Sequence, residues 1–177
     1  MQVACHGGVY NIVSALASVS NISHREWDMY TYNPITDPLD QNIACNVDGS
    51  LDGYTAKCPV SCTSATASSL SWAGLLSGTL SAGSLTQGKL VNNANTWTTT
   101  IPASLFPGEY MTRRELLAIH TSTRFYPECA QLILTGNGSA QPSGSYLVKF
   151  PGAYQRYVEA QASTTNYTIP GSAVWRG

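Results

Sequence analysis

Charged residues and long apolar runs are both scarce in this 177-residue chain. Only 11% of the residues are charged, the formal net charge is -1, and lysine and arginine form no basic block. Proteins that bind nucleic acid carry a basic patch or stripe, so we expect no nucleic-acid partner. No apolar run is long enough to cross a bilayer, and we therefore expect no association through a membrane span.

Acidic residues are also few, ten in all. No two of them have the arrangement that glycoside hydrolases use for acid and base catalysis. The sequence also lacks a Ser-His-Asp motif with the turn that presents a nucleophilic serine. Hydrolytic chemistry therefore has little support.

Serine, threonine, glycine, asparagine and tyrosine are plentiful instead, which is typical of extracellular proteins. Sequons at Asn21, Asn137 and Asn166 would be glycosylation sites on surface loops of an exported chain, although a Ser/Thr-rich sequence also produces such triplets by chance. Met1–Cys5 is too short for a complete signal peptide. We expect a secreted monomer with one domain over residues 1–177, of which 1–5 are a leader remnant.

The five cysteines allow two disulfides and leave one residue over. Cys58 and Cys62 can close a tight loop together. Cys45 and Cys129 can join distant segments, which restricts the unfolded chain most strongly because the closed loop is long. Cys5 then has no partner. A zinc site is the alternative, but no second closely spaced Cys or His pair completes four ligands.

The hydrophobic pattern predicts an all-β domain with little helix, because no sustained period of 3.6 residues occurs. Short segments rich in β-branched and aromatic residues are bounded by Gly, Pro, Asn and Ser. We expect turns at Pro102 and Pro107–Gly108 and a long surface connection over Thr63–Ser84. This spacing favours an immunoglobulin-like or fibronectin-like antiparallel β-sandwich with long loops. The candidate strands are Val9–Ser14, Thr96–Ile101, Glu109–Ile119 and Ala130–Thr135.

Five motifs follow one another in the second half of the chain. They are NNANTWTTTIP (Asn92–Pro102), PGEYMTRRELLAIH (Pro107–His120), FYPECAQLILT (Phe125–Thr135), FPGAY (Phe150–Tyr154) and YTIPGSAVW (Tyr167–Trp175). In this order they resemble the fungal lytic polysaccharide monooxygenases of auxiliary activity family 9, formerly glycoside hydrolase family 61.

The first half resembles the family over three shorter stretches, HGGVYNI (His6–Ile12), NPITDPLDQNIACN (Asn33–Asn46) and YTAKCPVSC (Tyr54–Cys62). The last two support the pairings of Cys45 with Cys129 and of Cys58 with Cys62. Between Cys45 and Tyr54 the family has several dozen more residues, with two core strands and a copper-binding histidine. We therefore expect a shortened member that lacks strands.

The resemblance implies one copper ion as cofactor, held by the amine and imidazole of an N-terminal histidine, a second histidine and a tyrosine. Nitrogen-rich tetragonal sites of this kind suit Cu(II). His6 matches the N-terminal ligand, and cleavage after Cys5 would expose its amine and remove the odd cysteine; the alternative is an ordinary surface histidine. Tyr126 matches the axial tyrosine, although a plain sheet aromatic fits there too. His24, in a polar loop, is a poor replacement for the second histidine.

Two more residues match positions around the copper. His120 corresponds to the histidine that hydrogen-bonds the oxygen species, although by itself it would more often be a core histidine. Arg124 stands where the family usually has a glutamine. Arginine is a permanent cation with donors only, so it would oppose a nearby copper ion and favour a superoxide anion. Tyr154 and Tyr157 match a flat surface on which aromatic rings stack against sugars.

Three interpretations stay open. The chain is a copper-dependent monooxygenase that takes electrons from an external donor and oxidatively cleaves cellulose or a related β-1,4-glucan, or it is a catalytically inactive glycan-binding relative. The third is a sequence that has lost an exon or a leader, which would leave apolar faces exposed and strand edges unpaired.

Overall fold

The computed structural model describes residues 19–24, 34–46, 71–73, 89, 91–94, 100–118, 123–154 and 171–177. Five strands occur in these ranges: β1 (Val19–His24), β2 (Trp72–Ala73), β3 (Gly108–Ala118), β4 (Arg124–Leu134) and β5 (Leu147–Val148). Gln41–Ile43 and Gly144–Tyr146 each form a short 3-10 turn. The expectation of an all-β chain is confirmed.

The main sheet is antiparallel with the strand order β1-β4-β3. β3 and β4 form a hairpin with unbroken pairing from Gly108 opposite Leu134 to Ala118 opposite Arg124. β1 lies on the other side of β4, where Val19 pairs with Leu134. β2 and β5 form a separate antiparallel pair.

Pro127 lies in the middle of β4, the central strand, although proline has no N–H for a sheet ladder. The N–H of Phe125 points away from β3, because it donates to the Ile35 carbonyl at 2.9 Å. The backbone nitrogens of alternate residues point the same way, so the nitrogen of Pro127 also faces away from β3. Proline therefore removes no hydrogen bond from the β3–β4 hairpin.

Both faces of the hairpin bury apolar side chains. On one face a cluster forms around Ile43, Phe125, Cys129 and Phe150, with Met111 and Leu117 of β3 packed against it. On the other face Leu132 and Leu134 pack with Leu105 and Trp175. Strands whose two faces are both covered fit a layered sandwich better than a sheet with one face in water.

The predicted strand Glu109–Ile119 is confirmed within one residue by β3 as far as Ala118. The predicted strand Ala130–Thr135 was too short, since β4 starts at Arg124. Val9–Ser14 lies outside the described residues, and of Thr96–Ile101 only 100 and 101 are described, neither in a strand.

The structure also bears on one predicted connection, one predicted loop residue and one predicted turn. Thr63–Ser84 was expected to be a plain connection, but Trp72–Ala73 within it pairs with β5. His24 was expected in a loop and lies in β1. A turn at Pro102 is present, closed by the hydrogen bond from Leu105 N to the Pro102 carbonyl at 3.0 Å.

The Cys45–Cys129 disulfide is present, so this pairing is confirmed. It joins the segment after the turn Gln41–Ile43 to the centre of β4, across 84 residues of sequence. Cys58 and Cys62 lie outside the described residues. Within the described ranges, no helix is long and apolar enough to cross a membrane.

Candidate functional site

Tyr126 and Arg124 lie on the same face of β4, because they are two residues apart on one strand. Tyr126 is opposite Leu116 of β3, and Arg124 is opposite Ala118. Tyr126 is buried, while Arg124 is partly exposed. The structure therefore brings two of the predicted site residues together at the end of the β3–β4 hairpin where the connection joins its strands.

His120 is in the connection between these two strands, two residues after Ala118, and lies outside the described residues together with His6 and Tyr157. The three expectations for these residues therefore remain predictions. Connectivity alone ties His120 to the hairpin end, since a residue two positions from Ala118 has its Cα within about 7 Å of that residue's Cα.

Histidines, cysteines and carboxylates do not gather into a group of three or more in the described part of the chain. Tyr126 is the only predicted copper ligand in that part, and a phenol oxygen by itself does not make the nitrogen-rich site that Cu(II) prefers. The role of Tyr126 as a copper ligand therefore stays a prediction, and the described residues show no metal-binding group around it.

His24 is badly placed to complete the site. Its backbone is opposite Ala130, four residues along β4 from Tyr126. Four residues of extended strand separate the two positions by about 13 Å. A shared metal ion is therefore disfavoured by the register of β1.

Tyr154 does not have the placement expected of a sugar-stacking residue. It is only 5% exposed, its ring stacks on Phe125 at a centroid distance of 5.4 Å, and Phe150 meets it edge-on at 5.1 Å. A ring that is stacked on Phe125 and almost wholly buried offers little surface to a sugar. The substrate-binding role predicted for Tyr154 is therefore disfavoured by this packing, because the ring lies in the core cluster with Phe125 and Phe150.

The hydroxyl of Tyr154 instead joins a buried polar cluster with Arg113 and Glu115. It donates to Glu115 Oε2 at 2.5 Å and accepts from Arg113 Nη1 at 3.3 Å. Arg113 Nη2 also forms an ion pair with Glu115 Oε1. The side chains of Arg113 and Glu115 are each only 8% exposed, so we call these three residues the buried cluster.

Burial and mutual charge shape the protonation of this cluster. Burial raises the pKa of Tyr154 far above its usual value, and the Glu115 carboxylate raises it further, against the opposing effect of Arg113. Burial lowers the pKa of Arg113, but Glu115 and Tyr154 more than offset this, so the net pKa is raised. Tyr154 is therefore neutral and Arg113 charged around neutral pH.

The buried cluster was missed in the sequence, although a signal was present. Arg113 and Glu115 are two residues apart in a predicted strand, so both point to one face. Opposite charges on the same face of a strand otherwise rich in apolar residues indicate a buried pair when that face packs on a core. The third member, Tyr154, could not be found this way because it is 39 residues further along the chain.

The sequons differ in setting. Asn137 is exposed in the turn that follows β4, whereas Asn21 lies within β1, between the paired residues Ser20 and Ser23. Asn166 lies outside the described residues.

A comparison with protein families matches residues 48–170 to Auxiliary Activity family 9, formerly GH61. A relative from Heterobasidion irregulare, AA9 family lytic polysaccharide monooxygenase B, is 43% identical over 99% of this chain and 94% of its own length. The lytic polysaccharide monooxygenase-like protein CEL1 of Agaricus bisporus is 34% identical over 98% of this chain and 72% of its own.

Solved structures show the same similarity. The crystal structure of HiLPMO9B matches with a TM-score of 0.72 and 45% identity over 87% of each chain. A cellulose-active polysaccharide monooxygenase from M. thermophila matches with a TM-score of 0.64 and 25% identity, again over 87% of each chain. These neighbours are β-sandwiches, which confirms the expected fold class.

The alignment with the Heterobasidion irregulare relative has 235 positions, against 177 residues in this chain. At least 58 of those positions therefore have no residue here. This agrees with the expectation that the chain is shorter than its relatives by several dozen residues.

Proposed function

This chain belongs to Auxiliary Activity family 9, and we propose that it is a secreted, copper-dependent monooxygenase that oxidatively cleaves cellulose or a related β-1,4-glucan. The family supplies the coarser part of this statement, the oxidative cleavage of a polysaccharide with an external electron donor. The observation that carries the proposal is that similarity to a monooxygenase extends over nearly the whole of both chains.

Copper would be held by residues that match the family's ligands. His6, made N-terminal by cleavage after Cys5, would supply an amine and an imidazole, and Tyr126 would supply a phenol oxygen from β4. A free α-amine has a pKa near neutrality, so it loses its proton to a metal far more readily than a peptide nitrogen does. Bound copper would supply the one-electron redox chemistry that amino-acid side chains lack.

The chain's own residues would arrange the surroundings of the metal. Tyr126 is buried in the β3–β4 hairpin, so the sheet fixes the position of its oxygen. Arg124, on the same face, would place a permanent positive charge near the site, which weakens the binding of a cation and favours an anion. His120, in the connection before Arg124, would donate or accept a hydrogen bond there.

Cellulose is proposed as the substrate because one structural neighbour is described as cellulose-active. With Tyr154 buried, Tyr157 is the remaining predicted sugar-facing aromatic. It lies three residues after the buried ring, which would anchor the segment that carries it.

A secreted relative that binds glycan without oxidising it is the second candidate. Two features favour this alternative, because each weakens a copper site. The chain lacks residues at many positions of the alignment with its Heterobasidion irregulare relative, and Arg124 adds a cation. Both candidates share the fold and the polysaccharide partner.

The decisive experiment is to secrete the chain from a eukaryotic host, add stoichiometric Cu(II) and record the EPR spectrum. We expect a type-2 signal with nitrogen couplings that is lost in His6→Ala and altered in Tyr126→Phe. Oxidised oligosaccharides released from cellulose with a reductant would then establish the activity. A spectrum identical to that of copper in buffer, combined with retention on cellulose, would establish the inactive relative instead.

Arg124→Gln is the matched variant, since it removes the charge and restores the family's usual residue. We expect Arg124→Gln to bind Cu(II) more tightly than the unaltered chain. Equal affinity would mean that the guanidinium is far from the metal.

A further inference from the structure

The side chain of Arg113 bridges the two halves of the disulfide. In the β3–β4 pairing, Arg113 is directly opposite Cys129. Its guanidinium donates from Nη2 to the Ile43 carbonyl at 2.8 Å and from Nε to the Ala44 carbonyl at 2.9 Å. Ala44 is the residue immediately before Cys45, so one side chain connects the position opposite Cys129 to the backbone that carries Cys45.

The Ala44 carbonyl is shared between Arg113 and the disulfide. It lies 3.5 Å from Cys129 Sγ, within the range of a sulfur hydrogen bond. In the reduced chain the Cys129 thiol can donate to this oxygen, since a thiol is a weak donor. The contact that Arg113 makes to Ala44 therefore fixes the backbone just before Cys45 at a point that also contacts the sulfur of Cys129.

The guanidinium is itself fixed by groups that contain no sulfur. Glu115 and Tyr154 bind two of its nitrogens, and its central carbon lies 4.1 Å from the ring centroid of Phe150. A planar guanidinium held on several sides loses little further freedom when it binds the two carbonyls. β3 and the turn at Phe150 thus fix the place at which the carbonyls of Ile43 and Ala44 can bind the guanidinium.

We propose that Arg113 is a positioning residue that directs Cys45 to Cys129 during oxidative folding. The uncleaved chain has five cysteines, so correct pairing requires that Cys45 reach Cys129 in preference to Cys58 and Cys62, and to Cys5 until the leader is removed. Arg113 raises the local concentration of the Cys45 thiol next to Cys129 by docking the segment that precedes it.

The covalent step requires an oxidant, for which we name glutathione disulfide. The two cysteine thiols give up two electrons and two protons as the S–S bond forms, and one glutathione disulfide becomes two glutathione thiols. Docking of the segment and formation of the disulfide are thermodynamically linked. Docking raises the equilibrium constant for the disulfide by a certain factor, and the disulfide raises the equilibrium constant for docking by the same factor.

The test is to equilibrate the whole reduced chain in glutathione buffers, quench it with acid, alkylate the free thiols and map the peptides by mass spectrometry. The readout is the ratio of the Cys45–Cys129 peptide to the reduced and mispaired peptides. We expect Arg113→Gln to lower this ratio about tenfold, since hydrogen bonds from a charged donor to two carbonyls are weakened. Arg114→Gln is the matched control, because it removes a neighbouring charge on the opposite face of β3 and should leave the ratio unchanged.

Tyr154→Phe covers the case in which Arg113→Gln does not fold. It keeps the ring and removes only the hydroxyl that steadies the guanidinium, so we expect a smaller loss, about threefold. Ratios for Tyr154→Phe and Arg113→Gln equal to that of Arg114→Gln would overturn the proposal. A loss of the native pair with no rise in mispaired peptides would also overturn it, because the cluster would then stabilise the fold without directing the choice of partner.

Discussion

At the scale of single residues, burial changes what a side chain can do. Tyr126 and Tyr154 are both tyrosines of family-like motifs, and both are buried. Tyr126 lies beside Arg124 at the hairpin end, whereas the hydroxyl of Tyr154 is engaged by Glu115 and Arg113. The motif identified each residue, but only the contacts in the structure showed that the hydroxyl of Tyr154 belongs to a buried polar cluster.

The ionisation of Tyr154 gives a prediction at this scale. An ordinary tyrosine has a pKa of about 10, and burial together with Glu115 raises the pKa of Tyr154 above that value. The fold therefore favours the neutral phenol, so its contribution to stability is complete below about pH 10 and is lost as the pH rises towards the folded-state pKa. In an alkaline absorbance titration we expect Tyr154 to ionise only when the chain unfolds.

Tyr154→Phe is the control for this titration. It should remove the component that belongs to Tyr154 and leave the titration of the other tyrosines unchanged, including that of Tyr110, whose pKa is also raised by burial. If the delayed component persists in Tyr154→Phe, another phenol is responsible.

At the scale of elements, the β3–β4 hairpin organises the molecule. It contributes to both apolar clusters, and β4 is joined to the segment after Gln41–Ile43 by the disulfide. The motif that contains Arg113 and Glu115 and the motif that contains Cys129 form the two strands, so motifs that are consecutive in sequence are also paired in space.

The disulfide gives the prediction for this scale. Cys45→Ser and Cys129→Ser should lower the free energy of unfolding equally, by about 4 to 5 kcal/mol on the chain-entropy argument for a loop of this length. The double variant should cost no more than either single variant, because the second replacement removes nothing further. Urea denaturation of the three variants measures this. Costs that add in the double variant would mean that each cysteine contributes through its own packing.

At the scale of the whole molecule, the two sequons that the structure describes differ in accessibility, and the exposed turn after β4 favours glycan attachment at Asn137. Backbone hydrogen bonds from Ala140 N to Ser104 at 2.8 Å and from Phe106 N to Ala140 at 2.9 Å fix the base of this turn. Gly138 is needed there, since a Cβ would overlap the backbone of Ser104 and Leu105. Asn137 is therefore exposed to solvent in a turn whose base is held by hydrogen bonds, whereas Asn21 lies within a paired strand.

We accordingly expect the secreted chain to carry an N-glycan at Asn137 and little or none at Asn21. Glycopeptide mass spectrometry of the secreted protein tests this, with Asn137→Gln as the variant that should abolish the modified peptide. An Asn137 peptide found only in unmodified form would contradict the accessibility argument, or would show that the chain does not enter the secretory pathway.

The sequence by itself determined the all-β class, the family, the extent of β3 and the partners of one disulfide. Composition, and the short β-branched segments bounded by turn residues, are local properties, and the family-like motifs determined the rest. The tertiary structure alone decided that Tyr154 is buried, that Arg113 binds the carbonyls of Ile43 and Ala44, and that Pro127 fits a central strand. Arg113 is separated from those carbonyls by about 70 residues. A local pattern encodes which face a side chain takes, but not which distant segment covers that face.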